Sequence, residues 1–448
     1  MGFQTGLSGL SAASRNLDVI GNNIANANTT GMKQSRTEFS AIVASTLGAA
    51  ANGSGGIGVG VAAVSQQFTQ GNISITGNNL DVAINGSGFI QLKQPDGSSA
   101  YTRAGSLKVD KDGFLKTNSG ANVMGFPTDP TTGKTAGALL QPLVIPTAGP
   151  IAAKATNLIT VELSLDARAT QAAGAAAVPG TPFSAGPPII PATQGTPAIL
   201  ATPRSTYGTS VNVYDAQGVA SPVSLYFEKQ PANNTWRAFT SLSTTAVALT
   251  PDITFNPNGA LATPIISGTG PNAGKFGFVL DAASLTGVKS NNPNMPAPGD
   301  LIGPFDLVLD GSTQFGSAFA VSNLSQDGYT SGEMTGLTIG ENGTIATRYS
   351  NGQTQYSGQI ALADFRNTQG LSPLGGNAWA ATFESGAPVT GAPGSGKFGG
   401  LRAGALEDSN VDLTAELVNM MTAQRSYQAN AQTIKTQDQV MSTLVNLR

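Results

Sequence analysis

Both ends of this chain carry long apolar stripes at helical spacing, and that pairing limits the folds open to everything between them. From Phe3, steps of four and three reach Leu7, Leu10, Ser14, Leu17, Gly21 and Ile24, with Ala13 and Ile20 beside the stripe. From Leu413 the same stepping gives Leu417, Met420, Gln424, Tyr427, Ala431, Ile434, Asp438, Met441, Val445 and Arg448. Sustained spacing of this kind marks a helix with one apolar seam. No Gly or Pro interrupts residues 411–448, so a helix over 413–448 is expected, about 54 Å long at 1.5 Å per residue. Ser409, with Asp412 three residues later, is the expected N-cap. A lone helix cannot cover its own stripe. The plainer outcome is packing on the core of its own domain. The sharper expectation is that the two terminal helices pair as a coiled coil.

The remaining faces of the C-terminal helix are polar but uncharged. Residues 411–448 hold six charges against fifteen Ser, Thr, Asn or Gln. Such a face suits contact with other protein surfaces, because a buried ion costs far more than a hydrogen-bonded amide.

If the ends pair, the middle is an excursion that leaves and returns. The expected organisation is an N-terminal core helix over 1–30, a transition region over 31–75 and the first part of an inner β domain over 76–154. An inserted outer β domain over 155–329 follows. The second part of the inner domain takes 330–405, and the C-terminal core helix 406–448. Period-two apolar alternation supports the strands: Ile73 and Ile75; Leu80, Val82 and Ile84; Leu107 and Val109; Val223, Leu225 and Phe227. Asp215-Ala216-Gln217-Gly218 lies between alternating runs as a hairpin turn. A Gly/Ala/Ser run over 48–60 and seven uncharged-context prolines over 179–203 read as linkers. The fold class is therefore multidomain: paired N- and C-terminal α-helices enclosing nested, discontinuous, mainly-β domains.

Composition removes most chemistry. The chain has no His and no Cys, which excludes Ser-His triads, thiolate zinc sites and disulfides. Net charge is −3, so there is no basic excess for nucleic acid. No window of about 18 apolar residues offers a membrane-spanning helix, and the first residues lack a secretory-signal pattern. Gly391-Ala392-Pro393-Gly394-Ser395-Gly396-Lys397-Phe398 approaches a phosphate-binding loop, but Phe398 stands where Ser or Thr must hold magnesium, and Gly399-Gly400 follows instead of a helix. Asp110-Lys111-Asp112-Gly113 lacks the further ligands of a calcium loop and reads as a turn. No catalytic residue, metal ligand or cofactor is expected, and the chain reads as no enzyme; a carboxylate-only hydrolase is the weakest alternative, since adjacent acids such as Glu407 and Asp408 do not converge.

The termini also carry a family pattern. Leu7-Ser8-Gly9-Leu10, then Asn16-Leu17-Asp18-Val19-Ile20-Gly21-Asn22-Asn23-Ile24-Ala25-Asn26 and Thr30-Gly31-Met32-Lys33, resemble the N-terminal signature of bacterial flagellar rod and hook axial proteins. Gly404-Ala405-Leu406-Glu407-Asp408-Ser409-Asn410-Val411-Asp412-Leu413, with Glu416-Leu417-Val418-Asn419-Met420 and Tyr427-Gln428-Ala429-Asn430, resembles the matching C-terminal signature. Segments around 80–89, 211–227 and 326–365 are similar to hook members of the family. The resemblance implies a subunit of a helical hollow tube, with terminal helices around a channel and β domains outside. It implies export without a cleaved signal, an extracellular place in the flagellar hook, and transmission of motor torque through a flexible joint. Implied partners are further copies of itself, the rod, the hook cap, the hook–filament junction proteins and the export apparatus. A distal rod subunit, which would lack so large a middle, and a secreted β-rich adhesin, which would not need the terminal helices, are the alternatives. The candidate polymerisation seam is Phe3, Leu7, Leu10, Leu17, Ile20, Ile24, Leu413, Leu417, Met420, Tyr427, Ile434, Met441 and Val445, and the signature residues are Asn22, Asn23, Asn26, Gly31, Asn410 and Asp412.

Overall fold

The computed structural model describes residues 2–43, 56–147, 149–169, 207–230, 232–240, 249–267, 270–281, 285, 291–293 and 304–446. The proline-rich segment 179–203 and the first part of the 48–60 run lie outside these residues. Two helices frame a mostly β chain: α1, Gly2–Ala25, and α2, Leu413–Asn446.

The chain divides into two compact units. The first comprises Met1–Gly149, Met334–Arg348 and Thr354–Arg448; the second comprises Pro150–Glu333 and Tyr349–Gln353. In the first unit, strands from before and after the excursion share one sheet. Thr354–Ile360 pairs with Asn122–Phe126, which pairs with Phe89–Lys93, then Ser99–Thr102 and Ala378–Ala380. The alternating apolar residues meet in one core, with Ile84, Ile90, Leu92 and Val123 packed against Ile345, Ile360 and Leu362. A second, aromatic cluster sets Phe89, Tyr101, Phe365 and Trp379 edge to face. Edge-to-face geometry lets a positive ring rim meet a negative ring face.

The second unit holds two five-stranded sheets. Leu158–Asp166 is central in one and alternates buried and half-buried positions throughout. The expected hairpin forms in the other, Tyr207–Tyr214 pairing antiparallel with Ala220–Lys229 around the 215–218 turn. Ile159 and Val161 from the first sheet and Leu225, Phe227 and Trp236 from the second belong to one buried cluster.

Two sequence expectations are corrected. The region 31–75 contains an antiparallel ribbon, β1 (Ser35–Val43) with β2 (Gly56–Gln66), and not only connecting chain. Glycines disguise it: Ile57, Val59 and Val61 alternate with Gly58 and Gly60, and glycine is a poor strand former. It is used here because α1 comes so close. A Cβ on Gly58, whose φ is +142°, would stand 2.1 Å from Ser8 Oγ. The cap of α2 is also reassigned. Asp412, not Ser409, caps the helix, its Oδ1 accepting from Thr414 N at 2.8 Å and Ala415 N at 3.1 Å. Ser409 Oγ accepts only from Val411 N, ahead of the helix. A carboxylate beside the first free N–H groups also suits the positive end of the helix dipole.

The remaining sequence motifs are turns. Asp110 N donates to Phe114 O, and Gly113 supplies a positive φ of +82°. Residues 392–398 form a turn between Val389–Gly391 and Gly400–Ala403, so the phosphate-loop likeness ends in a strand.

Candidate assembly site

α1 and α2 run antiparallel. Gly6 faces Ile434, Gly9 faces Asn430, and Asn23 reaches Glu416, so each step forward on α1 is a step back on α2. Small residues make the contact. A Cβ on Gly6 would lie 3.0 Å from Ile434 Cγ1, and one on Gly9 2.8 Å from Asn430 Oδ1. Ala13 and Ala423 are buried. Glycine weakens an isolated helix by about 1 kcal/mol against alanine, but it lets the two backbones approach.

The protected face of α1 therefore runs through Gly6, Gly9, Ala13, Ile20 and Asn23. Most of it lies one residue before the apolar stripe, which is about 100° around the helix. Of the expected seam residues, Ile20 is buried, and Leu10, Leu17, Ile24, Met420 and Ile434 are half-buried. Phe3, Leu7, Leu413, Leu417, Tyr427 and Met441 are exposed, Phe3 at 53% and Leu417 at 51%. Val445 lies within α2, with its side chain outside the described residues. Small residues recurring at Gly6, Gly9 and Ala13 were the signal for the inner face, one that a search for large apolar residues passes over.

The signature residues gather where the helices meet the β unit. Asn23 acts as a strand in miniature, its Oδ1 accepting from Ser35 N at 2.9 Å while its Nδ2 donates to Ser35 O at 2.7 Å. Its Nδ2 also reaches Glu416 Oε2 at 3.4 Å, and Gln34 Nε2 donates to Glu416 Oε1 at 2.6 Å. Asn410 Oδ1 accepts from Gln34 N at 2.7 Å and its Nδ2 donates to Gln67 O at 2.7 Å, so one amide ties the residue before β1 and the residue after β2 to the segment that enters α2. Asn26 donates back to Asn22 O and ends α1. Gly31 has φ +71°, and a Cβ there would lie 2.5 Å from Ala104 N; its N–H donates to Glu407 O at 2.8 Å.

Beneath this layer lies a buried ion cluster that sequence reasoning did not find. Lys33 Nζ donates to Glu407 Oε1 at 2.6 Å and to Thr69 O at 2.7 Å. Arg103 Nη1 lies 3.3 Å from Glu407 Oε2, and Gly71 N donates to Glu407 Oε1 at 2.9 Å. Burial pushes the Lys33 ammonium below the usual lysine range, against the opposing pull of its hydrogen bond and ion pair with Glu407. Adjacent acids in sequence hid the role of Glu407, because its partners come from distant segments.

Relatives place this arrangement. The flagellar hook protein FlgE of Salmonella typhimurium is 38% identical over 458 residues, covering all of both chains, and that of Escherichia coli K12 is 38% identical over 460 residues, again covering all of each. This chain belongs to the flagellar hook protein family. The hook protein FlgE of Treponema pallidum is 31% identical over 99% of this chain and 98% of its own. Family models match along the length: flagella basal body rod protein over 3–33, flagellar hook protein FlgE/F/G D1 domain over 83–164, flagellar basal body protein FlaE D2 domain over 184–329, and flagellar basal body rod FlgEFG protein C-terminal over 402–447. The crystal structure of Helicobacter pylori flagellar hook protein FlgE2 shares the fold, with a TM-score of 0.50 and 16% identity over 75% of this chain and all of the other. The chain is a structural subunit of the flagellar hook and serves motility.

Proposed function

We propose that copies of this hook protein polymerise through their terminal helices into a helical, hollow tube that bends as a universal joint and passes torque from rod to filament. The helix pair acts as a coiled coil at the tube's core. Residues 76–154 and 330–405 form the inner domain, and 155–329 an outer domain. The supporting observation is that a single chain leaves Phe3, Leu7, Leu413 and Leu417 exposed on the two helices that its own junction ties together. Exposed apolar side chains gathered on one face favour association with another surface. An interface that joins two different patches does not close, and it generates an open helical polymer.

The subunit reaches its place outside the cell through the flagellar export apparatus, without a cleaved signal, and meets the rod, the hook cap and the hook–filament junction proteins there. A chain without cysteine forms no disulfide that would obstruct threading. The test is electron microscopy of purified chain with and without Leu417→Asp. Tubes from the unchanged chain and none from the variant, with the β units still folded, are expected. Normal tubes from the variant would remove α2 from the assembly interface. Unchanged bending compliance after deletion of 155–329 would remove the outer domain from the joint.

A further inference from the structure

Three pieces at the start of the chain are weak on their own. α1 carries glycine at 2, 6, 9 and 21, and each lowers the stability of an isolated helix. The β1–β2 ribbon is a two-stranded sheet, and such a sheet alone is marginal in water. Strands Ile73–Ile75 and Val82–Asn85 find their ladder partners at the far end of the sequence, in Ala405–Glu407 and Gly400–Ala403 respectively.

The groups that fix these pieces come largely from residues 400–416. Glu407 O accepts from Gly31 N, Gly404 O from Thr76 N, and Asn72 O from Asp408 N, each at 2.8 Å. Leu401 packs in the core with Val82 and Ile84. The side chains of Glu407, Asn410 and Glu416 hold Lys33, Gln34, Thr69 and Gly71 at the foot of the ribbon. Nearer in sequence, Arg103 Nη2 donates to Gly86 O and Val82 N to Gly105 O, both at 2.9 Å.

We infer that residues 400–416 act as a strap: they close last, over a core already built from 89–126 and 354–391, and in closing they order the ribbon and α1 at the opposite end of the chain. A chain is made from its N-terminus, so Lys33 waits for a partner 374 residues later. Pairing of Gln359 with Phe126 and of Trp379 with Tyr101 draws the two ends together beforehand. The strap then closes a short remaining loop, at a small entropic cost. α2 continues from the strap, and Asn23 reaches Glu416, so the same step sets α2 against α1. The helix pair thus forms only when nearly the whole chain is present. The consequence for assembly rests on the function proposed above; the strap itself does not.

Two glycines make a matched test by amide exchange in the folded full chain. Gly404, in the strap, has φ +71°, and Gly97, in the turn between Phe89–Lys93 and Ser99–Thr102, has φ +87°. A Cβ on Gly404 comes no closer than 4.0 Å to its neighbours, and one on Gly97 meets nothing within 4 Å. Alanine at either position therefore adds backbone strain and little else. Gly404→Ala should speed exchange several-fold at Thr76, at Gln67 and along the ribbon, with 89–126 unchanged. Gly97→Ala should leave the ribbon unchanged. In pulse-labelled refolding of the unsubstituted chain, Gln67 and the ribbon should gain protection together with Asp408 and after 89–126. Ribbon protection ahead of Asp408 would overturn the strap, and so would equal loosening of the ribbon by both alanines. If Gly404→Ala does not fold, the refolding order decides alone. No arm requires tubes, so a chain that fails to assemble counts against the assembly reading and leaves the strap standing.

Discussion

Lys33 and Glu407, 374 residues apart in sequence, meet at 2.6 Å with neither side chain exposed to solvent. The pair fastens the segment leaving α1 to the segment entering α2. Arg103, 5% exposed, adds a second cation to the same carboxylate. One anion thus serves two buried cations, and the three positions are not equivalent.

Glu407→Gln should destabilise the helix-bearing unit by about 3–5 kcal/mol, because it strands both cations in a dry site. Lys33→Met should cost less, since Glu407 keeps Arg103 and the Gly71 N–H. The two tryptophans separate the units: Trp379 packs in the first and Trp236 in the second. Urea unfolding followed by Trp379 fluorescence in a Trp236→Phe background measures the first unit alone. Equal midpoints for the two variants would contradict the shared-anion account.

The same lysine sets a pH dependence. Burial holds Lys33 below its ordinary value in the folded chain. Between that lowered value and about 10.4 the unfolded chain binds more protons than the folded one, so this group's contribution to stability rises with pH across the window. Below the window its contribution is lowest and flat. Comparing urea midpoints at neutral and alkaline pH should show a smaller alkaline gain, or a larger loss, for Lys33→Met than for the unchanged chain. Parallel curves would mean that Lys33 does not titrate differently on folding.

Asp412→Ala removes the cap of α2 and should cost about 1 kcal/mol, felt first in its opening turn. Amide exchange at Thr414 and Ala415, whose N–H groups the carboxylate accepts, should accelerate. Ser409→Ala should leave those amides nearly unchanged; the opposite ranking would restore Ser409 as the cap.

Glycines on α1 should divide by what surrounds them. A Cβ on Gly21 meets nothing within 4 Å, so Gly21→Ala should strengthen the helix by up to about 1 kcal/mol. Gly9→Leu drives a side chain into Asn430 and should push α1 off α2. Helicity by circular dichroism and thermal unfolding of the two variants should move in opposite directions. A stabilising Gly9→Leu would mean that the close approach is not required.

Much of this was legible in one dimension. Heptad spacing located both helices, and period-two alternation located strands such as Leu107–Val109 and the hairpin around 215–218. Those signals are local: each depends on which face of an element is apolar, and sequence spacing fixes that. The inner face of α1, the β1–β2 ribbon and the anchoring of Glu407 were not legible in the same way. Gly6, Gly9 and Gly58 matter through what comes near them, and a glycine carries no record of its neighbour. The sequence by itself determined that the two ends are amphipathic helices of an axial-protein kind. Only the tertiary structure decided that small residues join those helices within a chain, leaving Phe3, Leu7 and Leu417 uncovered. A hydrophobic stripe states that burial is favourable, but the surface that covers it is set by distances across the folded chain.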